Sequence, residues 1–144
     1  DVMRPDRMEL QLKFMENNNN CVVCGGQVVT FRDNVNNIGY KTNHPTIKLE
    51  EFKSKPSHWM MNHPTICFRK SKILEVGNYN KNTKEIYEDF ELQLKILKKY
   101  GIIHNLPNII LYYRDSPMQI TKKMNDNPAH WNNIRNKLIQ DIIY

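Results

Sequence analysis

Two adjacent carboxylates, Glu88 and Asp89, begin an amphipathic stretch of the chain. A carboxylate that projects from the start of a helix into a cleft can accept a proton from a hydroxyl group, which is general-base chemistry. Acidic residues are also favoured at helix N-termini for structural reasons, because they balance the positive end of the helix dipole. The residue pattern by itself leaves both interpretations of the pair open.

Few other side chains have a spacing that indicates chemistry. His63 stands beside Pro64 in a segment of aromatic and methionine residues, which we expect to line a cleft. No H-E-x-x-H pattern, Walker loop, G-x-G-x-x-G or G-x-S-x-G sequence is present. Cys21 and Cys24 have the spacing of half a zinc knuckle, but no second cysteine pair follows, so core packing is the favoured interpretation.

The helix that must position the two carboxylates is predicted over residues 88–100. Phe90, Leu94 and Leu97 recur at i, i+4 and i+7, which gives one apolar face. Acidic residues occupy its first turn and lysines its last, as the helix dipole favours, and Gly101 ends it.

Three further helices are predicted, and two of them have apolar stripes. The first covers residues 6–16, a short one covers 71–76 with Gly77 just past its end, and the last begins at Pro128. The side chains expected on the apolar faces are Met8, Leu12 and Met15 in the first helix and Trp131, Ile134, Leu138 and Ile142 in the last.

Strands are predicted over residues 21–31, 65–69, 102–106 and 108–114. Gly25 and Gly26 indicate a bulge or a close backbone approach within the first strand, and Pro107 separates the last two. Residues 32–57 are rich in Asn and Lys and are expected to form a long loop with short pieces of structure. The predicted fold class is therefore α/β, with a mixed sheet flanked by helices.

The length and composition of the chain limit its domain organisation and the kinds of partner that it can bind. With 144 residues, 40% of them hydrophobic, we expect residues 1–144 to form a single domain. The net charge of +6 favours anionic ligands, but the basic residues are dispersed, so no nucleic-acid partner is expected.

No apolar run approaches the roughly 20 residues of a transmembrane helix, and no signal-peptide pattern is present. An odd count of three cysteines favours reduced thiols in a cytosol-like compartment.

A series of short motifs resembles the second half of a family 2 glycosyltransferase with the GT-A (nucleotide-diphospho-sugar transferase) fold. That family has a P-x-R-L-E-x-Q stretch after its D-x-D motif, then H-P-T/S with a following Arg, V-G-G-Y-D, E-D-x-x-L and Y-R-x-H-x-x-Q-x-S/T. The corresponding segments cover nearly the whole chain in the same order: DVMRPDRMELQ (1–11), NHPTICFRKS (62–71), VGNY (76–79), YEDFEL (87–92), YYR (112–114) and QIT (119–121).

The resemblance implies an inverting transfer of a sugar from a nucleotide-sugar donor to a hydroxyl on a glycan, protein or lipid acceptor. It implies that Asp89 is the general base and that Glu88 places the acceptor or orients Asp89. Arg114 and Gln119 would contact the diphosphate. The other substrate-binding residues that it implies are Trp59, His63, Arg69 and Tyr79.

The resemblance also implies a divalent metal, Mn²⁺ or Mg²⁺, in the complete enzyme, with Asp1 as the last acid of the metal motif. The chain departs from the family at Ser116, where the family often has His. The nucleotide-binding N-terminal half of the family is absent, so this fragment alone is expected to be inactive. The alternative hypothesis is a non-catalytic, basic α/β module that binds an anionic partner or another subunit.

Overall fold

The computed structural model describes residues 1–81, 87–117, 119 and 127–144. Along the chain, the strands are β1 (Val2–Met3), β2 (Val23–Arg32), β3 (Asn34–Lys41), β4 (Ile47–Lys48), β5 (Cys67–Phe68) and β6 (Ile102–Arg114). The helices are α1 (Arg7–Asn17), α2 (Leu49–Ser54), α3 (Lys70–Glu75), α4 (Glu88–Tyr100) and α5 (Pro128–Ile143), and a single 3-10 turn covers His63–Thr65.

The described strands form a six-stranded mixed sheet, and helices pack against it, which confirms the α/β prediction. Its main path runs β1-β6-β2-β3, with β4 on β6 and β5 on β2. The two long strands, β2 and β6, are parallel, and the other pairs are antiparallel. A parallel pair at the centre of the sheet places the carboxyl ends of both strands at one edge, where α/β proteins commonly bind ligands.

Helix α4 lies at the centre of the larger hydrophobic core. Leu94, Ile96 and Leu97 are fully buried and pack with Ile139 and Ile143 of α5. Each such aliphatic side chain stabilises the fold by about 1.5–3 kcal/mol through burial. The predicted bounds, 88–100, match those of α4, and Gly101 adopts a left-handed φ of 78° at its end.

Two predicted apolar faces are wrong in detail. In α1, Met8 and Leu12 are exposed, while Gln11 and Met15 are buried. In α5, the buried side chains are Arg135, Ile139 and Ile143, which lie on a face rotated from the predicted one. In both helices a polar residue occupies the buried face, which hydrophobic periodicity alone cannot anticipate.

Residues 32–57 are more ordered than the predicted long loop with short pieces of structure. These residues contain β3, β4 and α2, and β3 forms an antiparallel hairpin with β2. Asp33 makes the turn with a φ of 55°, a conformation that Asp and Asn adopt more readily than most residues. The side chains of β3 are exposed throughout, so the strand has no apolar alternation to reveal it.

Two smaller differences concern the strands. Residues 65–69 contain the end of the 3-10 turn and the two-residue strand β5 in place of a longer buried strand. The two strands predicted around Pro107 form the single strand β6. Within the described residues, no helix combines the length and apolar character that a membrane span requires.

Candidate active site

A cleft of about 600 Å³ lies beside the carboxyl-terminal halves of β2 and β6. Its wall is completed by the segment before the 3-10 turn, the first turn of α4 and the middle of α5. The lining residues that matter for its chemistry are His58, Trp59, Asn62, His63, Glu88, Asp89, Tyr113 and Arg135. This volume suits a ligand the size of a sugar or a small glycoside.

Asp89 is a partly buried carboxylate on the wall of the cleft. It is the second residue of α4, and its Oδ1 accepts the Phe90 backbone N–H at 2.6 Å. Burial raises the pKa of Asp89 above its ordinary value, an effect that the positive charges of His63 and Arg135 partly oppose and the negative charge of Glu88 reinforces. A raised pKa makes the ionised carboxylate a stronger proton acceptor, which suits a general base.

His63 and Tyr79 form a hydrogen-bonded pair next to Asp89. The Tyr79 Oη and His63 Nε2 atoms are 3.1 Å apart, and the two rings meet edge to face. Burial, followed by the charges of Asp89 and Glu88, raises the pKa of Tyr79. The Nδ1 of His63 is buried and has no hydrogen-bond partner among the described residues.

Two glycines of β2 allow the segment carrying His63 to lie directly on the sheet. A Cβ atom on Gly25 would come within 2.7 Å of the Met61 side chain. Asn62 Nδ2 donates to the Gly26 carbonyl at 2.9 Å, and the Gly26 N–H donates to Thr65 Oγ1 at 3.0 Å. The expected close backbone approach at these glycines is therefore present, and it sets the position of His63.

The hydrogen bonds of Gln27 fix the wall of the cleft that contains Thr42 and His44. The Gln27 side chain donates to the carbonyls of His44 and Leu106, and its Oε1 accepts from the His44 N–H and from Thr42 Oγ1. Burial lowers the pKa of His44, which favours a neutral imidazole at this point of the lining.

Arg135, which sequence reasoning missed, is the buried cation of the cleft. Its guanidinium carbon lies 4.3 Å from the centre of the Trp59 ring and 5.8 Å from that of Phe90. Only 6% of the residue is exposed. A signal was present in the sequence, because Trp131, Leu138 and Ile142 surround Arg135 at i−4, i+3 and i+7, and an arginine inside an apolar stripe calls for a partner.

The structure brings together part of the set of residues expected to bind substrate. Trp59, His63, Glu88 and Asp89 line the cleft, and Tyr79 contacts His63. Arg69 lies elsewhere and caps a loop, because its Nε and Nη2 donate to the carbonyls of Cys21 and Met15, both at 2.9 Å.

The remaining two residues of that set, Arg114 and Gln119, form a second group with the predicted metal ligand Asp1, outside the lining of the cleft. The Arg114 guanidinium stacks over Phe31, 4.7 Å from the ring centre, and its backbone N–H donates to Asp1 Oδ1 at 2.8 Å. Gln119 Nε2 donates to the Arg114 carbonyl. The neighbours of Gln119 in the predicted motif, residues 120 and 121, lie outside the described residues.

Asp1 alone does not make a metal site. Across residues 1–81, 87–117, 119 and 127–144, no group of three or more His, Cys, Asp or Glu side chains is arranged to hold a metal ion. Cys21 and Cys24 are buried with Met15 in a small cluster, the position expected of core residues.

Comparison with known proteins places the chain among glycosyltransferase sequences. It is 31% identical over 133 residues to an "Uncharacterized glycosyltransferase" of Haemophilus influenzae, covering 91% of this chain and 48% of the relative. It is 24% identical to the amylovoran biosynthesis glycosyltransferase AmsE of Erwinia amylovora, covering 96% and 48%. It is 31% identical to the UDP-Gal:alpha-D-GlcNAc-diphosphoundecaprenol beta-1,3-galactosyltransferase of Escherichia coli, covering 81% and 41%.

These similarities extend over most of the chain but not over most of the relatives. No protein-family model matches the chain. The chain spans about half the length of the curated relatives it matches. It is therefore a homologue of bacterial glycosyltransferases across one part of their sequence, and its α/β fold is compatible with half of a GT-A-like enzyme.

Proposed function

We propose that the chain is the acceptor-side half of an inverting glycosyltransferase, and that Asp89 is its general base. One observation carries the proposal: a partly buried carboxylate with a raised pKa lines a sugar-sized cleft in a chain homologous to glycosyltransferases. The nucleotide-binding part would come from a preceding segment of the same enzyme, in keeping with the partial coverage of the relatives.

The reaction follows from the position of the carboxylate. An acceptor hydroxyl in the cleft gives its proton to Asp89, while its oxygen forms a bond to the anomeric carbon of the donor. The bond from that carbon to the nucleoside diphosphate breaks, and the diphosphate leaves with the electron pair from the face opposite the acceptor. A single displacement of this kind inverts the anomeric configuration.

Other side chains of the cleft have supporting roles in this proposal. His63 and Tyr79 form a hydrogen-bonded pair that can orient a sugar hydroxyl next to Asp89. Trp59 is 55% exposed and offers an aromatic surface on which a sugar can stack. Glu88 borders the same space and would help place the acceptor.

The diphosphate contacts and the metal remain separate expectations. Arg114 and Gln119 would meet the donor diphosphate from the second group, since guanidinium groups suit bidentate binding of phosphate. The divalent metal implied by the resemblance has one candidate ligand here, Asp1, and the described residues do not form a site around it. In the complete enzyme the metal would neutralise the charge of the departing diphosphate.

The decisive substitution is Asp89→Asn in the full-length protein that carries this chain. Loss of general-base assistance should lower kcat by about 10²–10⁴-fold, because the neutral amide cannot accept the proton. Release of nucleoside diphosphate measures the rate, and NMR of the product gives the anomeric configuration. One relative is named for UDP-galactose, so this donor is assayed first.

Asp141→Asn is the matched control, because Asp141 is exposed on α5 and does not line the cleft. This variant should keep the wild-type rate. The wild-type rate should fall as the pH is lowered through the pKa of Asp89. Wild-type turnover by Asp89→Asn, or retention of the donor configuration, would contradict the proposal, and no turnover with any donor would favour the non-catalytic module.

A further inference from the structure

The guanidinium of Arg135 is buried in the protein, and Asp89 acts on it electrostatically without forming a direct ion pair. Within the part of the chain that the structure describes, no carboxylate forms an ion pair with it, and its Nε has no hydrogen-bond partner. An arginine stays charged in proteins, so its burial carries a large desolvation cost. Contact with the rings of Trp59 and Phe90 offsets part of that cost and leaves the N–H donors uncompensated.

The same guanidinium lies on the wall of the cleft, where a ligand can reach it. It is held by the rings of Trp59 and Phe90, whose centres lie 4.3 and 5.8 Å from the guanidinium carbon. A planar, pre-positioned guanidinium with free donors is suited to bind an oxyanion through two parallel hydrogen bonds.

The position of Arg135 relative to Asp89 indicates which substrate carries that oxyanion. Arg135 lies over Phe90, the residue next to Asp89 in the first turn of α4. In a displacement with inversion, the attacking hydroxyl and the leaving diphosphate occupy opposite faces of the anomeric carbon. An anion next to the base is therefore on the acceptor side and not on that of the leaving group.

We propose that Arg135 is an anion-binding residue of the acceptor subsite, and that the acceptor of this enzyme carries a negatively charged oxygen group close to its reacting hydroxyl. This inference rests on the proposed function in assigning the anion to the acceptor. A phosphate ester and a sugar carboxylate offer the same paired oxygens to a guanidinium, and binding experiments distinguish these two sources.

The test measures binding of three small probes to the full-length protein by calorimetry at low salt. The probes are glucose 1-phosphate, methyl glucuronoside and methyl glucoside, which carry a phosphate, a carboxylate and no charge. One of the two charged probes should bind at least about tenfold more tightly than methyl glucoside, because a charge-assisted bond adds to the sugar contacts. The charged probe that gains more identifies the source of the anion.

Variants then assign the effect to Arg135. Arg135→Gln should abolish the preference for the charged probe over methyl glucoside. Arg135→Lys keeps the charge but not the planar pair of donors, so it should retain part of the preference. The matched control is Lys137→Gln, which removes one charge from an exposed position of the same helix and should bind all three probes as the wild type does.

The result that overturns this inference is equal binding of charged and neutral probes by the wild-type protein, which requires no variant. An undiminished preference in folded Arg135→Gln overturns it as well. Failure of the proposed function is a different result. If no sugar is transferred but the charged probe still requires Arg135, the anion site is supported and the proposed glycosyltransferase function is rejected. If transfer depends on Asp89 while Arg135→Gln binds every probe as the wild type does, the proposed glycosyltransferase function is supported and the anion site is rejected.

Discussion

Two buried polar side chains, Gln11 on α1 and Arg135 on α5, lie on faces where apolar residues were expected. The Gln11 Nε2 atom donates to the carbonyls of Thr65 and Cys24 at 2.7 and 3.1 Å, and its Oε1 accepts from Arg7 Nε at 2.9 Å. The Arg135 guanidinium has an unpartnered Nε and borders a cleft. A buried polar group whose bonds are complete inside the protein holds the fold together, whereas one left incomplete at a cavity indicates a ligand.

The largest expected effect on stability is that of Gln11→Leu. The substitution keeps the size of the side chain but leaves two carbonyls without their donor, and each buried unpaired group costs about 1–3 kcal/mol. We expect the free energy of unfolding to fall by at least about 2 kcal/mol in urea denaturation. Gln140→Leu, an exposed change on α5, should alter it by less than about 0.5 kcal/mol. Equal effects of the two variants would contradict the conclusion that the hydrogen bonds of Gln11 stabilise the fold.

A second pair of variants sharpens the comparison between two arginines. Arg69 donates to two backbone carbonyls, so Arg69→Met should lower the free energy of unfolding by at least about 1.5 kcal/mol. Arg135→Met loses ring contacts but also removes a buried charge that has no direct ion pair among the described residues, so the net change should stay within about 1 kcal/mol. Urea denaturation measures both. A larger loss for Arg135→Met than for Arg69→Met would show that Arg135 is mainly structural.

The smallest effect is the pH dependence contributed by Asp89. Because burial raises its folded-state pKa above the ordinary 3.8, the folded protein holds a proton there over a pH range in which the unfolded chain has released it. The contribution of Asp89 to stability is therefore greatest at acidic pH and declines as the pH rises through the folded-state pKa. Unfolding at a series of pH values should show Asp89→Asn gaining stability over the wild type toward neutral pH, while Asp141→Asn shows no such trend.

The sequence was sufficient to predict elements whose signals are local. The bounds of α4 follow from its apolar i, i+4, i+7 spacing, its terminal charges and Gly101. Gly77 was placed correctly as the end of α3, where its φ is 88° and its N–H donates to the Leu74 carbonyl. In the candidate site, the cluster of Glu88, Asp89, His63 and Trp59 was anticipated through a resemblance of motifs, because these residues are distant in the chain.

Features decided by tertiary contacts were not predictable. Strand β3 forms because β2 offers it an edge and Asp33 makes the turn, although its own side chains are exposed. The buried positions of Gln11 and Arg135 depend on partners far along the chain, the carbonyls of Cys24 and Thr65 and the ring of Trp59. Apolar periodicity therefore located the helices and part of their inward faces, including Met15, Leu138 and Ile142, but missed the buried polar residues.

The parallel pairing of β2 with β6 has a consequence for how the protein is made. The Gln27 side chain of β2 donates to the carbonyl of Leu106 in β6, which lies 79 positions later in the chain. The parallel pair at the centre of the sheet therefore cannot form until β6 has been synthesised. At translation rates of about 5–20 residues per second, a newly emerged β2 waits about 4–16 seconds on the ribosome. During that interval a valine-rich strand with open edges is exposed to other chains, so the yield of native protein should depend on chaperones that shield it.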